Sequence, residues 1–390
     1  MFKLNLLAPI NDLGYGIHAR GIITGLGRLG YDNYFLSYIG GQRTGELSEE
    51  EIKLTNKLVK TPWDRSAPCV KIWHETQMND LSGSKLIAYP VWETTKLVPK
   101  AIHDLRQMDA IFVTTSWGKK IMEENLSNNV PVYVVNEAGQ EFNEGIDLNK
   151  EKFPVFTFLH VGKYEMRKCT AEIIQSYVEV FADRKDETRL IVHCFNPFDR
   201  YFTRTMCNMF KALDIQLISN AADETRMIAI KGNAIVEIPR NKLSKTELQQ
   251  LYLKSHVGVY PSRGEGWNLD LFEGITMNLP SIASFVAGHT EYTTEELGYP
   301  QDLLLFNGRE EPAYDGVWFR DYNKGNWISP DLEELKEKMD YAYTNYGNIM
   351  QRFDPSLIKD KFTWENSARQ MLTALDDITD GEMGLGEVII

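Results

Sequence analysis

The sequence predicts an α/β protein made of two doubly wound, Rossmann-like domains that face each other across a central cleft. Three observations lead there. The chain has 390 residues, longer than one core usually supports, which suggests about two domains. Short apolar runs alternate with longer amphipathic segments from end to end, the rhythm of parallel strands covered by helices. That rhythm pauses once, at the polar stretch "NEAGQEFNEGIDLNKEKFP", and then begins again.

In chain order, "KLNLLAP" reads as a buried strand and "IHARGIITGLGRLG" as a helix closed by Gly30. "NYFLSYI", "KLIAYPV", "AIFVTTS" and "PVYVVN" read as further strands, with helices over "LVPKAIHDLRQM" and "SWGKKIMEENL". The pause carries Gly139, Gly145 and Pro154, and it places the domain junction near residue 150. In the second series "VFTFLHVG", "TRLIVHCF", "AIVEIP", "VGVYPS" and "SIASF" are strands. "TAEIIQSYVEVFADR", "SKTELQQLYLKS" and "LDLFEGITMN" supply the helices between them, and "SPDLEELKEKMDYAYTN" and "TWENSARQMLTALDDI" add two near the end. The expected division is therefore residues 1–150, residues 151–348, a closing helix within 349–376 that crosses back to the first domain, and an acidic tail over 377–390. Open parallel sheets bind ligands at the carboxyl ends of their strands, so the cleft is the expected active site.

Composition narrows the function. Apolar residues make up 43% and charged residues 25%, an ordinary globular balance. The formal net charge of -13 argues against polyanion binding driven by general phosphate neutralisation, although it leaves room for a local basic groove. Cys69, Cys169, Cys194 and Cys207 form no C-x-x-C pair, so reduced, buried thiols are expected rather than a zinc site or disulfides. The start "MFKLNLLAPINDLG" lacks the pattern of a signal peptide, and no run approaches the ~20 apolar residues of a membrane span. A soluble, cytoplasmic protein is expected, and no basic amphipathic helix suggests a membrane surface.

Three constellations carry chemistry. "PSRGEGWNLDLFEG" holds Glu265 and Glu273 around a glycine-bearing turn that opens a helix. Gly264 and Gly266 let the backbone approach a ligand closely, and the free N–H groups of the first helical turn attract an anion. The glutamates would repel that anion, so they are read as acceptors for hydroxyl groups. An anion bearing many hydroxyls describes a nucleotide sugar. "HVGKYEMRKC" places Lys163, Arg167 and Lys168 at a strand's carboxyl end, where they either neutralise a diphosphate or form a solvated basic loop. Gly14-Tyr15-Gly16 lies between the first strand and first helix, as a donor-binding phosphate or substrate-approach site or a plain tight turn; without G-x-G-x-x-G it gives little support to a nicotinamide cofactor. In the first domain, His74 and Glu93 each follow an apolar run, which puts them at strand ends facing the cleft. A histidine there is a proton shuttle or a bonded strand terminus, whereas His193 inside "LIVHCF" reads as core.

Together these residues resemble the retaining glycosyltransferases of family 4, which have the GT-B fold. "PSRGEGWNLDLFEG" matches the E-x7-E signature of that family and continues into "LPSIASFVAGHTEY". "GKYEMRKC" is similar to its phosphate loop, with Cys169 in place of the last glycine, and "LGYGIHARGIITGLGRLG" is similar to its glycine loop and first helix. The stretch ending "NEGID" stands where the family has a shorter "NGVD". The resemblance runs from about residue 4 to residue 375. It implies that Glu265 contacts the donor sugar and Glu273 the ribose. Lys163 and Lys168, or Arg167, hold the diphosphate with the main chain of Gly266, Trp267, Asn268 and Leu269, while the strand end at Val236–Ile238 borders the base. The implied donor is a UDP- or GDP-sugar, with no metal and no further cofactor. The implied chemistry is front-face transfer with retention, the departing phosphate oxygen helping to deprotonate the acceptor. Where many relatives have a histidine or aspartate, this chain reads "VWETT", leaving Glu93 or His74 for the acceptor side.

The leading acceptor is a glycan, lipid-linked sugar or small molecule. One alternative is a phage-type DNA glycosyltransferase acting on a hydroxylated modified base, which requires a basic strip on the first domain and a base turned out of its stack. Another is a non-catalytic nucleotide-sugar-binding module, and the intact Glu265, Glu273 and Lys163 set speaks against it.

Overall fold

A computed structural model describes residues 2–127, 129–139, 142–143, 145–194, 201–218, 225–313 and 325–381. Most of the acidic tail expected at 377–390 lies outside them, as does part of the polar stretch before residue 150.

The first domain holds strands β1 (Asn5–Ala8), β2 (Phe35–Tyr38), β3 (Cys69–Ile72), β4 (Leu86–Tyr89), β5 (Ala110–Val113) and β6 (Val132–Val134). They form one sheet in the order β2-β1-β3-β4-β5-β6, every pairing parallel. Helices α1 (Gly14–Arg28), α2 (Glu49–Leu58), α3 (Pro99–Leu105) and α4 (Ser116–Leu126) connect them. The strands are short and mostly apolar because both faces are covered. On β4, Ile87 and Tyr89 enter one core cluster while Ala88 between them enters the other. The sequence pattern does not single out α2, which opens on a reciprocal cap. Ser48 accepts from the Glu51 amide and the Glu51 carboxylate accepts from that of Ser48. Gly14-Tyr15-Gly16, expected as a turn before α1, forms the first turn of α1 itself.

The second domain holds β7 (Phe156–Gly162), β8 (Thr188–Cys194), β9 (Gln216–Leu217), β10 (Arg226–Lys231), β11 (Ala234–Pro239), β12 (Val257–Tyr260), β13 (Ser281–Ser284) and β14 (Leu304–Leu305). The sheet order is β14-β13-β12-β7-β8-β11-β10-β9. From β14 to β11 the strands are parallel in doubly wound order, and the winding reverses between β7 and β12. β10 departs from the parallel pattern: it folds back on β11 through the two-residue turn Gly232–Asn233, with Gly232 at φ +54° as a tight hairpin requires. Helices α5 (Thr170–Phe181), α6 (Phe202–Ala212), α7 (Lys245–Lys254), α8 (Leu269–Thr276) and α9 (Leu332–Thr344) cover the sheet. A separate antiparallel hairpin, β15 (Gly308–Pro312) with β16 (Asn326–Pro330), was not expected.

After α10 (Tyr346–Arg352) and α11 (Ser356–Lys361), helix α12 (Trp364–Ile378) lies against α1 of the first domain. Gly21 makes room for it, since a Cβ there would sit 2.1 Å from the Trp364 ring. Trp364, Met371, Leu372 and Leu375 thereby complete the first core. Burying such side chains contributes roughly 1.5–3 kcal/mol each. Among the described residues no helix is long and apolar enough to cross a membrane, and all four cysteines are free thiols.

Candidate functional site

The reversal between β7 and β12 brings together two loops almost a hundred residues apart in sequence. The loop after β7 curls into a 3-10 turn over Met166–Lys168, and Cys169 enters α5 in the left-handed region at φ +57°. The loop after β12 runs through Glu265 to Asn268, also left-handed at φ +76°, and into α8. The Arg263 amide donates to the Arg167 carbonyl at 2.9 Å, so the loops are joined main chain to main chain.

Their side chains form one ionic network. The Arg167 guanidinium contacts the Glu265 carboxylate, lies 3.1 Å from Glu93 and 3.2 Å from Glu165, and donates to the Gly264 carbonyl at 2.9 Å. The Lys168 ammonium lies 3.0 Å from Glu265 and 3.3 Å from Asp270, and donates to Asn268 Oδ1 at 2.9 Å. Lys163 pairs with Glu165 at 2.5 Å. The loop is therefore not a solvated basic loop, for Lys168 is 5% exposed and Glu265 3%. Burial alone would push the Glu265 carboxyl up, but Arg167 and Lys168 beside it outweigh burial and hold it below the usual range. Glu93 is the counter-case. Burial pushes it up to about 7, and the pull of Arg167 does not overcome that while Glu265 and Glu165 add repulsion. Burial likewise raises Asp270, although Lys168 opposes it.

Glu93 reaches this network from the other domain, on the loop after β4. That contact explains the two glycines around Glu265. A Cβ on Gly264 would sit 2.4 Å from the Glu93 carbonyl, and one on Gly266 2.1 Å from Val91 Cγ1. The glycines thus admit the facing loop of the first domain, where close approach to a ligand was expected. Thr114 completes the seam by donating to the Gly266 carbonyl at 2.7 Å. Farther along the cleft, Lys242 meets Asp12 at 2.7 Å, which sets the amino end of α1 against the second domain. From the hairpin, Asn326 accepts from the Thr95 amide at 3.1 Å and donates its own to Thr95 Oγ1 at 2.8 Å.

On the first-domain face the character changes. Tyr15, Trp73 and His74 form an aromatic group, with Tyr15 4.9 Å from His74 and 5.7 Å from Trp73 between ring centroids. The Val91 amide donates to the Tyr15 hydroxyl at 3.2 Å, and Trp73 Nε1 donates to Gln77 Oε1 at 2.8 Å. Of the two acceptor-side candidates, Glu93 joins the ionic network and His74 the aromatic group.

The remaining expected residues are spread more widely. Glu273 is buried on α8 beside the inter-domain segment, where a Cβ on Gly139 would lie 3.7 Å from its Cγ. The Trp267 indole packs against Phe272, Tyr292 and Phe362, and its carbonyl accepts from the Tyr292 hydroxyl at 2.6 Å. Leu269 opens α8. Ile238, near the end of β11, has its side chain fully buried in the second core.

Sequence reasoning missed several partners. Glu165 and Asp270 sit inside the quoted motifs but were hidden among residues with louder roles. Glu291 accepts from the Ser116 amide at 2.7 Å, so it caps α4 from across the cleft. His289 touches Asn268 at 2.9 Å. Both lie in "AGHTEY", and nothing local in that stretch announces its partners.

No protein-family model matches this chain, and no curated protein matches it by sequence. Solved structures match it by shape. A glycosyltransferase from Rickettsia africae has a TM-score of 0.64 at 11% identity, covering 97% of this chain and 98% of that one. Sucrose-phosphate synthase from Thermosynechococcus elongatus has 0.59 at 12%, covering 97% and 100%. A trehalose-6-phosphate protein from E. coli, bound with UDP-2-fluoro glucose, has 0.63 at 11%, covering 96% and 98%. At such identities the likeness speaks for the fold, which is the two-domain GT-B arrangement.

Proposed function

We propose that this chain is a retaining glycosyltransferase of the family 4 type, which moves a sugar from a UDP- or GDP-sugar to an acceptor hydroxyl. The observation that carries the reading is the Arg167–Lys168–Glu265 network at the winding reversal of the second sheet, facing Glu93 across the seam. A diphosphate arriving there meets a guanidinium and an ammonium already oriented, which is electrostatic preorganisation aimed at leaving-group charge. Its oxygens replace part of the carboxylate shell that now surrounds Arg167. The E. coli neighbour that holds UDP-2-fluoro glucose supports a uridine donor.

In the proposed reaction the bond from the anomeric carbon to the diphosphate oxygen breaks, and the acceptor oxygen forms its bond on the same face. The acceptor proton passes to the departing phosphate oxygen. Arg167 and Lys168, with Lys163 at the rim, hold the diphosphate beside the main chain of Gly266 to Leu269. Glu265 keeps lone pairs for sugar hydroxyls and Glu273 for the ribose. Glu93 orients the acceptor hydroxyl, while His74 lines the acceptor side. Tyr15, expected with Gly14 and Gly16 to bind the donor, packs against His74, and we therefore assign all three to the acceptor side. Much of the catalysis is positioning.

Thermal-shift screening against UDP, GDP and their sugars tests the first half, because a ligand of the folded state raises its stability by mass action. No shift with any of them would sink the reading. The product's anomeric configuration, read by NMR in excess chelator, tests the second half. Retention without metal is expected, and an inverted product, or none until metal is restored, overturns it. Turnover in the same tube excludes a module that only binds.

A further inference from the structure

The Lys168 ammonium is the end of a hydrogen-bond chain whose direction follows from chemistry. Lysine only donates, so the atom of Asn268 that faces Lys168 at 2.9 Å must be the carbonyl Oδ1. The amide nitrogen Nδ2 then faces His289 Nε2, also at 2.9 Å. Because Nδ2 only donates, Nε2 must be unprotonated and the imidazole proton must sit on Nδ1. Nδ1 lies 2.8 Å from the Ser284 carbonyl, an acceptor with which only that tautomer agrees. Every link is consistent with one arrangement, and reversing any link breaks the next.

Two more observations show that the chain is built in. Asn268 sits at φ +76°, a conformation that glycine adopts at less cost, so the contacts of its side chain are what asparagine adds. The His289 segment is seated on the Glu265 loop, where the Gly288 amide donates to the Glu265 carbonyl at 2.7 Å. Asn268 is 5% exposed and His289 fully buried, so water does not compete for these bonds.

We propose that Asn268 and His289 are positioning residues that act through Lys168, fixing its ammonium where the oxygens of a nucleoside diphosphate arrive. The purpose given to the chain rests on the nucleotide-sugar reading, whereas its direction does not. Asn268→Gly is the incisive variant because it keeps the left-handed backbone and removes only the side chain.

The test measures affinity for UDP and GDP by calorimetry, donor and acceptor KM, and the His289 tautomer by 15N NMR. In wild type the imidazole proton is expected on Nδ1. Asn268→Gly is expected to weaken nucleoside-diphosphate binding about tenfold, the scale of one hydrogen bond to a charged group, and to raise donor KM with acceptor KM unmoved. His289→Leu should do the same, and His289→Gln, whose Oε1 can accept from Asn268, should recover most of that loss. A proton on Nε2, or wild-type affinity in Asn268→Gly, overturns the chain alone. Wild-type protein that binds neither UDP nor GDP overturns the nucleotide-sugar reading, and with it the purpose of the chain.

Discussion

The two faces of the cleft are built on different principles. The second-domain face is ionic, buried and crowded, with Arg167 and Lys168 set among Glu265, Glu165 and Asp270. The first-domain face is largely aromatic, with Tyr15, Trp73 and His74 in mutual contact and Glu93 as its link to the ions opposite. An ionic wall out of water holds a charged group in one place, because its strength grows as the dielectric falls. An aromatic wall selects by shape and tolerates variation. On the proposed function, the ionic wall would fix the donor and the aromatic wall would choose the acceptor by fit.

The largest effect that separates the faces should come from acid. Burial holds His160, His193, His256 and His289, all in the second domain, down at about 4, against 6.5 for the free side chain. The unfolded chain takes up these protons near pH 6.5 and the folded chain does not. Stability is therefore complete above that pH and is lost as pH falls from 6.5 towards 4. Each histidine contributes up to about 1.4 kcal/mol per pH unit in that window. Hydrogen exchange against pH should show the second domain losing protection before the first; simultaneous loss would break the comparison.

Next comes the ionic wall itself. Arg167→Met leaves the buried Glu265 with Lys168 as its remaining cation and should cost about 3 kcal/mol in urea unfolding, the low end for breaking a buried pair. On the other face His74→Ala should cost only about 0.5–1.5 kcal/mol, the worth of an aromatic contact. Equal losses would mean that the network contributes no more than ordinary packing.

Lys168→Met should lower turnover about 10²–10³-fold, as expected for removing one preorganised electrostatic partner. Tyr15→Phe should act on acceptor KM and spare donor KM. A change in donor KM in that variant would show that the walls do not divide their tasks.

Glu93 joins the two faces and should give the smallest effect. With its carboxyl up at about 7, it ionises in the neutral range, and the ionised form is the one that accepts from a hydroxyl. Activity should rise with pH through about 7, and Glu93→Gln should flatten that step while changing the plateau less than tenfold. A step that persists in Glu93→Gln belongs to another group.

Much of the fold is legible in the sequence. Strands such as "VFTFLHVG" and "SIASF" are apolar runs bounded by turn residues, and α5, α7, α8, α9 and α12 follow from helical periodicity. The hairpin of β10 with β11 escaped because "RMIAIK" is not singled out as a strand beside "AIVEIP", and a strand's partner is chosen by the rest of the sheet. Within the site, Glu265, Lys168 and Arg167 were marked by their motifs, whereas His289 and Glu291 bond to residues from different loops and carry no mark of it.

The sequence by itself determined which modules form and which charges lie at strand ends, because turn chemistry and side-chain periodicity act over a few neighbouring residues. Only the tertiary structure decided what those charges do. The reversal between β7 and β12 brought Lys168 to Glu265 and Asn268, and the closing of two domains brought Glu93 to Arg167 and Val91 against Gly266. Such meetings depend on sheet order and domain approach, and no local pattern of residues encodes either. The glycines of "RGEG" show the difference most plainly. Their lack of side chains is written in the sequence, and the neighbour that occupies the space is not.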